Sequence, residues 1–194
     1  MGQLPNIISI FRTTLAIALA IFILKYYENK DILLYAFWIT WIVILLDGID
    51  GIIARKFKIT SDFGAFFDIA CDRIVELIYI SLFVTLGWIP FWILVVFFVR
   101  GILVDGIRGF AQKEGKTAFG EKSMMKNKIG FFLTSSRFMR FTYGGVKALA
   151  FALMFLVYSY CPGLLSFGLF LIYFTVFLCI IRGIPVLIEG KRYF

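Results

Sequence analysis

The sequence predicts an all-α integral membrane protein with six transmembrane helices and an interfacial helix between the fourth and fifth. Three observations lead there. Of the 194 residues, 61% are hydrophobic and the mean hydropathy is +0.93, whereas soluble domains carry roughly 45–50% apolar residues. Apolar runs of bilayer-spanning length recur along the chain, separated by short turns. Basic residues gather in alternate connections, as they do in membrane proteins with one face toward the cytoplasm. The length is that of one domain, residues 1–194, and neither internal repeats nor low-complexity segments interrupt it.

The opening Met-Gly-Gln-Leu-Pro-Asn has neither the basic start nor the cleavage site of a secretory signal, so the N-terminus is expected to be retained. Pro5-Asn6 starts the first helix. Its span from Ile7 to Tyr27 is apolar apart from Ser9, Arg12, Thr13, Thr14 and Lys25, with Arg12 near the entrance. A polar turn, Glu28–Asp31, leads to a second span over about residues 32–55. Lys56-Phe-Lys58-Ile-Thr60-Ser61 forms the next turn, with Ser61 as N-cap of a third span over about 62–86. Gly87-Trp-Ile-Pro90 is an uncharged turn before a fourth span over about 91–110, which holds Arg100, Asp105 and Arg108.

The linker that follows is the most basic stretch, with Lys113, Lys116, Lys122, Lys126 and Lys128, then Arg137 and Arg140. Over about 112–135 it is expected to form an amphipathic helix at the interface, with a mobile loop as the alternative. A fifth span ends near Tyr160, Cys161-Pro162-Gly163 turns the chain, and a sixth span over about 164–188 contains Arg182 and Pro185. The turns at 87–90 and 161–163 carry no charge, so the positive-inside rule places both termini at the cytoplasmic face of the cytoplasmic membrane. The net charge of +8 then belongs to loops facing anionic lipid, and nucleic acid is not an expected partner.

Composition also excludes chemistry. The chain has no histidine, so imidazole is absent as base, metal ligand or triad member. Cys71, Cys161 and Cys179 are scattered in apolar surroundings without metal-ligand spacing, and are expected to be small buried hydrophobes.

Against that background one stretch stands out. Asp47-Gly-Ile-Asp50-Gly51-Ile-Ile-Ala54-Arg55 is followed, after eight residues, by Gly64-Ala-Phe-Phe-Asp68-Ile-Ala-Cys-Asp72. A carboxylate in the middle of a membrane helix costs roughly 2.5–3.5 kcal/mol, so four unpaired ones would cost on the order of 10 kcal/mol. Spacings of three and four place each pair on one helix face, and two such faces turned together make a cage of oxygens at the cytoplasmic side. Oxygen-only ligands select hard cations such as Mg²⁺, Mn²⁺ or Ca²⁺, and four carboxylates have the charge for two. Gly51 and Ala54 clear one side of the helix for a bulky group, and Arg55 offers a guanidinium shaped for phosphate. Pairing of the acids with Arg55 and Arg73 alone would leave charge uncompensated in lipid. A divalent-cation transporter is the reading from another class, but an ion path has no need of the glycine, alanine and arginine positions.

The pattern resembles the CDP-alcohol phosphotransferase signature D-x2-D-G-x2-A-R-x8-G-x3-D-x3-D, with Asp47, Asp50, Gly51, Ala54, Arg55, Gly64, Asp68 and Asp72 in its fixed positions. The opening Pro-Asn-x-x-Ser-x-x-Arg is similar to the start of bacterial phosphatidylglycerophosphate synthases. The resemblance implies six spans, a homodimer, and transfer of a phosphatidyl group from a CDP-linked lipid donor to a small alcohol with release of CMP. It also implies Mg²⁺ or Mn²⁺ as cofactor, two ions held by Asp47, Asp50, Asp68 and Asp72, with Asp72 as the catalytic base. The nucleotide would lie on Asp47, Asp50, Gly51, Ala54, Arg55 and Gly64. With no histidine and no nucleophile beside the base, direct displacement is expected, and ping-pong kinetics are not.

Buried cations ask for an anionic acceptor, which makes a small phosphoalcohol the expected substrate. Arg100-x7-Arg108-x6-Gly115 resembles the fourth-span pattern of phosphatidylglycerophosphate synthases, and Gly144-Gly-Val-Lys147-Ala approximates their Gly-Lys-x-Lys-Thr without the first lysine and the threonine. Arg182 instead resembles phosphatidylinositol-phosphate synthases, with Arg108 and one of Lys128, Arg137 or Arg140 as companions. The expected acceptor is sn-glycerol 3-phosphate, with inositol phosphate as the alternative. For each of these basic residues, snorkelling to lipid headgroups competes with substrate binding.

Overall fold

The computed structural model describes residues 4–56, 62–113, 115, 125 and 127–191. Among them there is no strand, and the helices are α1 (Leu4–Tyr26), α2 (Lys30–Lys56), α3 (Asp62–Thr85), α4 (Phe91–Lys113), α5 (Lys128–Ser135), α6 (Arg137–Ser159) and α7 (Leu165–Gly190), with a 3-10 turn at Pro162–Leu164 before α7. The expected spans therefore fall on α1, α2, α3, α4, α6 and α7. Among the described residues, four stretches are long and apolar enough to cross a bilayer: Asn6–Tyr26, Lys30–Gly48, Arg137–Ser159 and Pro162–Gly190. Helices α3 and α4 match them in length, at 24 and 23 residues. They differ in charge, α3 carrying Asp62, Asp68, Asp72, Arg73 and Glu76 and α4 carrying Arg100, Asp105, Arg108 and Lys113.

The residues inside and outside are those of a membrane protein. Large apolar side chains lie exposed on every long helix, among them Phe11, Phe22, Trp38, Phe66, Phe98, Phe141 and Phe177. Water would not tolerate so much apolar surface on one chain, and lipid does. Polar groups are turned inward, and the hydroxyls of Thr13, Thr40, Thr134 and Thr175 each donate to the carbonyl four residues back at 2.7–2.8 Å. The chain is thus an integral membrane protein.

The helices divide into two units. The first comprises Met1–Pro90 and Phe151–Leu169. Here α1 packs along both α2 and α3, and the second half of α3 is anchored by aromatic rings. Tyr79 stacks on Phe151 at 5.3 Å, Phe83 meets Phe155 at 5.2 Å, and Trp88 lies on Tyr158 at 4.0 Å. Gly87, at φ +72°, ends α3 in the left-handed conformation. Its N–H donates to the Val84 carbonyl at 3.0 Å and that of Trp88 to the Phe83 carbonyl at 2.9 Å. At the same end, the Tyr160 hydroxyl donates to Asp31 at 2.5 Å.

The second unit comprises Phe91–Ala150 and Phe170–Phe194. Its core is Val104, Ile107, Ala111, Met125 and Val186. Small residues of α7 let α4 approach: a Cβ on Gly183 would lie 3.1 Å from Arg100 Cγ, and one on Gly190 only 2.8 Å from Ile107. The expected interfacial helix is represented by α5 alone, whose first turn is capped by Asn127 accepting from the Ile129 N–H at 3.1 Å. Glu189, buried near the end of α7, accepts the Asn127 N–H at 3.0 Å and ties α5 in place. Residues 114, 116–124 and 126 of that linker, the 57–61 turn and the Ser61 cap lie outside the described residues.

Candidate functional site

Asp47 sits two thirds of the way along α2, Asp68 and Asp72 in the first half of α3. One carboxylate oxygen from each lies within 4.8 Å of the others. The two helix faces inferred from spacing do meet. The first pair is represented by Asp47, since the side chains of Asp50, Gly51, Ala54 and Arg55 lie outside the described set, although all four belong to α2. Gly64 is half-buried in the first turn of α3.

The cation at the centre is one the motif does not contain. Arg12, from α1, places Nη2 2.9 Å from Asp68 and Nη1 2.7 Å from Asp72, and Nη1 also contacts Asp47. Its side chain is 3% exposed, whereas the carboxylates of Asp47, Asp68 and Asp72 are 46, 45 and 42% exposed. The guanidinium is therefore the floor of the cluster and the acids open to one side. Ser9, one turn earlier, donates to Asp68 at a long 3.5 Å, and Thr13 Oγ donates back to the Ser9 carbonyl. Ser9, Arg12 and Thr13 are buried and make a polar stripe on α1. Their 9-12-13 spacing, with Ser9 and Arg12 also closing the Pro-Asn-x-x-Ser-x-x-Arg opening, is the sequence signal that could have placed α1 at the site. Arg73, weighed above as a partner for the aspartates, binds the buried Glu76 at 2.5 Å.

Three converging carboxylate oxygens are an all-oxygen donor set, which fits a hard divalent cation. With cation–oxygen distances of roughly 2.0–2.6 Å, one ion could reach all three oxygens, which lie within 4.8 Å of one another. The Arg12 guanidinium stands where positive charge is needed, in place of part of the charge a metal would bring.

The basic residues expected to hold the acceptor phosphate all lie in the second unit, in different environments. Arg182 is 6% exposed. Its guanidinium lies 4.8 Å over the Tyr143 ring and donates to the Thr134 and Met139 carbonyls at 3.4 and 3.5 Å. Lys147 reaches the same ring at 5.4 Å. Arg100 is 8% exposed, and its Nε and Nη1 are buried without a hydrogen-bond partner. Arg108 lies 3.9 Å from Asp105, the one acid in the fourth span expected to compensate a cation there. Arg140 is half-buried, and Lys128 and Arg137 are exposed. Cys71 and Cys179 are buried free thiols, as expected, whereas Cys161 in the turn before α7 is only partly buried.

Fold and cluster together define a membrane protein that gathers acids within its helices to hold cationic charge. Residues 2–181 match the CDP-alcohol phosphatidyltransferase family, and the chain belongs to it. Similar proteins include CDP-diacylglycerol–glycerol-3-phosphate 3-phosphatidyltransferases from three bacteria. The Mycoplasma pneumoniae protein is 31% identical over 37% of this chain and 31% of its own length. That of Mycoplasma genitalium is 35% identical over 37% of this chain and 30% of its own length. The Wigglesworthia glossinidia brevipalpis protein is 29% identical over 59% of this chain and 63% of its own length. The matches thus span from about a third to under two thirds of these relatives.

Proposed function

We propose that this protein transfers a phosphatidyl group from CDP-diacylglycerol or an equivalent CDP-linked lipid to the hydroxyl of sn-glycerol 3-phosphate, releasing CMP. The observation that carries the reading is the convergence of Asp47, Asp68 and Asp72 in a chain of this family. Asp47, Asp50, Asp68 and Asp72 hold the divalent cations, and Gly51, Ala54, Arg55 and Gly64 receive the nucleotide. When bound there, two Mg²⁺ or Mn²⁺ ions would supply charge that stabilises the pyrophosphate and the departing CMP. A carboxylate oxygen of Asp72 takes the acceptor hydroxyl proton. The acceptor oxygen then bonds to the lipid-linked phosphorus, and the pyrophosphate bridge breaks with its electron pair leaving on CMP.

The acceptor phosphate needs cations with water removed. Arg182, Lys147 and the incompletely bonded Arg100 are the first choice, and Arg108 and Arg140 are the next. The exposed Lys128 and Arg137 face anionic headgroups. In this reading α3 and α4 also cross the bilayer, making six spans, and their charges are tolerated because they face protein and substrate. The termini and the aspartates lie at the cytoplasmic side of the cytoplasmic membrane, and the enzyme works as a homodimer.

The test is incubation of the purified, reconstituted chain with labelled CDP-diacylglycerol and a panel of alcohols. CMP release with formation of phosphatidylglycerophosphate is expected. Product from inositol phosphate alone would reassign the acceptor, and cation flux without CMP release would make the protein a transporter.

A further inference from the structure

We propose that Arg12 is an internal counter-ion, which assembles Asp47, Asp68 and Asp72 before cations bind and holds down the affinity of the cluster for them. This rests on the reading of those aspartates as cation ligands. Three carboxylates within 4.8 Å of one another repel, and without compensation they would splay apart or draw in other charge. Arg12 prevents that with one side chain touching all three. A guanidinium stays charged at every accessible pH, so it is a permanent fixture of the site. It is also fixed in place: the side chain is 3% exposed and rises from the middle of a buried polar stripe on α1.

Its position sets up a competition. Arg12 takes one oxygen of each acid from the buried side, while the carboxylates remain over two-fifths exposed on the other. A divalent cation arriving from the open side meets a preformed cluster, and also a like charge a few ångströms behind it. Between charges this close in a partly dry site, repulsion outweighs what preassembly gains. The arrangement therefore trades tightness of cation binding for a cluster that keeps its form while empty.

The experiment measures Mn²⁺ binding to the full-length, reconstituted protein by electron paramagnetic resonance, together with thermal unfolding in chelator and in excess Mg²⁺. Arg12→Met, which keeps most of the stem and loses the charge, is expected to bind Mn²⁺ on the order of tenfold more tightly than wild type. Its unfolding temperature should fall in chelator and recover more than that of wild type when Mg²⁺ is added. Arg12→Lys, which restores a cation, should bring both measurements back toward wild type, a rescue that a purely space-filling role would not give. Should Arg12→Met fail to fold, Arg12→Gln carries the same comparison. A wild-type chain that binds Mn²⁺ beside a neutral variant that binds no tighter, or a lysine variant that behaves like the methionine one, overturns the counter-ion role alone. A wild-type chain that binds no Mn²⁺ overturns the aspartate reading and this one with it.

Discussion

Asp72 carries two duties in the proposed reaction, holding a cation and accepting a proton, and one substitution separates them. Asn keeps the shape and an oxygen ligand but has no basic lone pair worth the name. Asp72→Asn is expected to lower CMP release by about 10²–10⁴-fold, the usual contribution of general-base catalysis, while binding of the CDP-lipid measured by calorimetry is retained. Turnover near the wild-type rate would move the base elsewhere. The acids were readable from the chain because a charge in an apolar helix is conspicuous whatever its partner. Arg12 was not: a single arginine near the start of a span looks like one that snorkels to headgroups. Its partner Asp68 is 56 positions away, and nothing in the intervening residues announces the meeting.

Helices here end and pack through glycines whose roles differ. Gly87 at φ +72° has nothing within 4 Å of an added Cβ, so only backbone strain opposes a side chain. Gly87→Ala should cost about 1–2 kcal/mol in a reversible unfolding measurement, the penalty of the left-handed conformation for an L-residue. Gly190 presents the opposite case, since an added Cβ would lie 2.8 Å from Ile107 Cγ2 and Cδ1. Overpacking of this kind costs about 1–3 kcal/mol. Gly190→Ala is expected to destabilise by that amount, and Ile107→Ala in the same chain to recover part of it, a non-additivity that a double-mutant cycle reads directly. The Gly87 turn was visible as punctuation between two apolar runs. The Gly190 contact was not, because which residue of α4 faces α7 depends on the angle at which two apolar surfaces settle.

For the molecule as a whole, two measurements bear on the membrane and the cofactor. In the proposed orientation the turn holding Cys161 lies on the outer side, and that residue is partly accessible whereas Cys71 and Cys179 are buried. A membrane-impermeant maleimide applied to intact cells should label Cys161, and Cys161→Ser should abolish the signal. Labelling only after lysis would invert the topology. Chelation should abolish CMP release, and Mg²⁺ or Mn²⁺ should restore it, with Ca²⁺ separating a requirement for octahedral geometry from one for charge.

Most of the architecture could be read in advance, because apolar length, turn chemistry and the bias of lysine and arginine are local properties that each segment carries with it. The observed bounds of α2, α3 and α7 lie within a few residues of the expected ones for that reason. The acidic motif was readable too, since the price of a carboxylate in lipid is charged residue by residue. What awaited the folded chain was pairing: that Arg12 meets the aspartates, that Arg73 answers Glu76, that Arg182 and Lys147 share Tyr143. Partners are chosen when helix faces dock, and docking is set by the sum of many small contacts, of which no single stretch of sequence holds more than its own side.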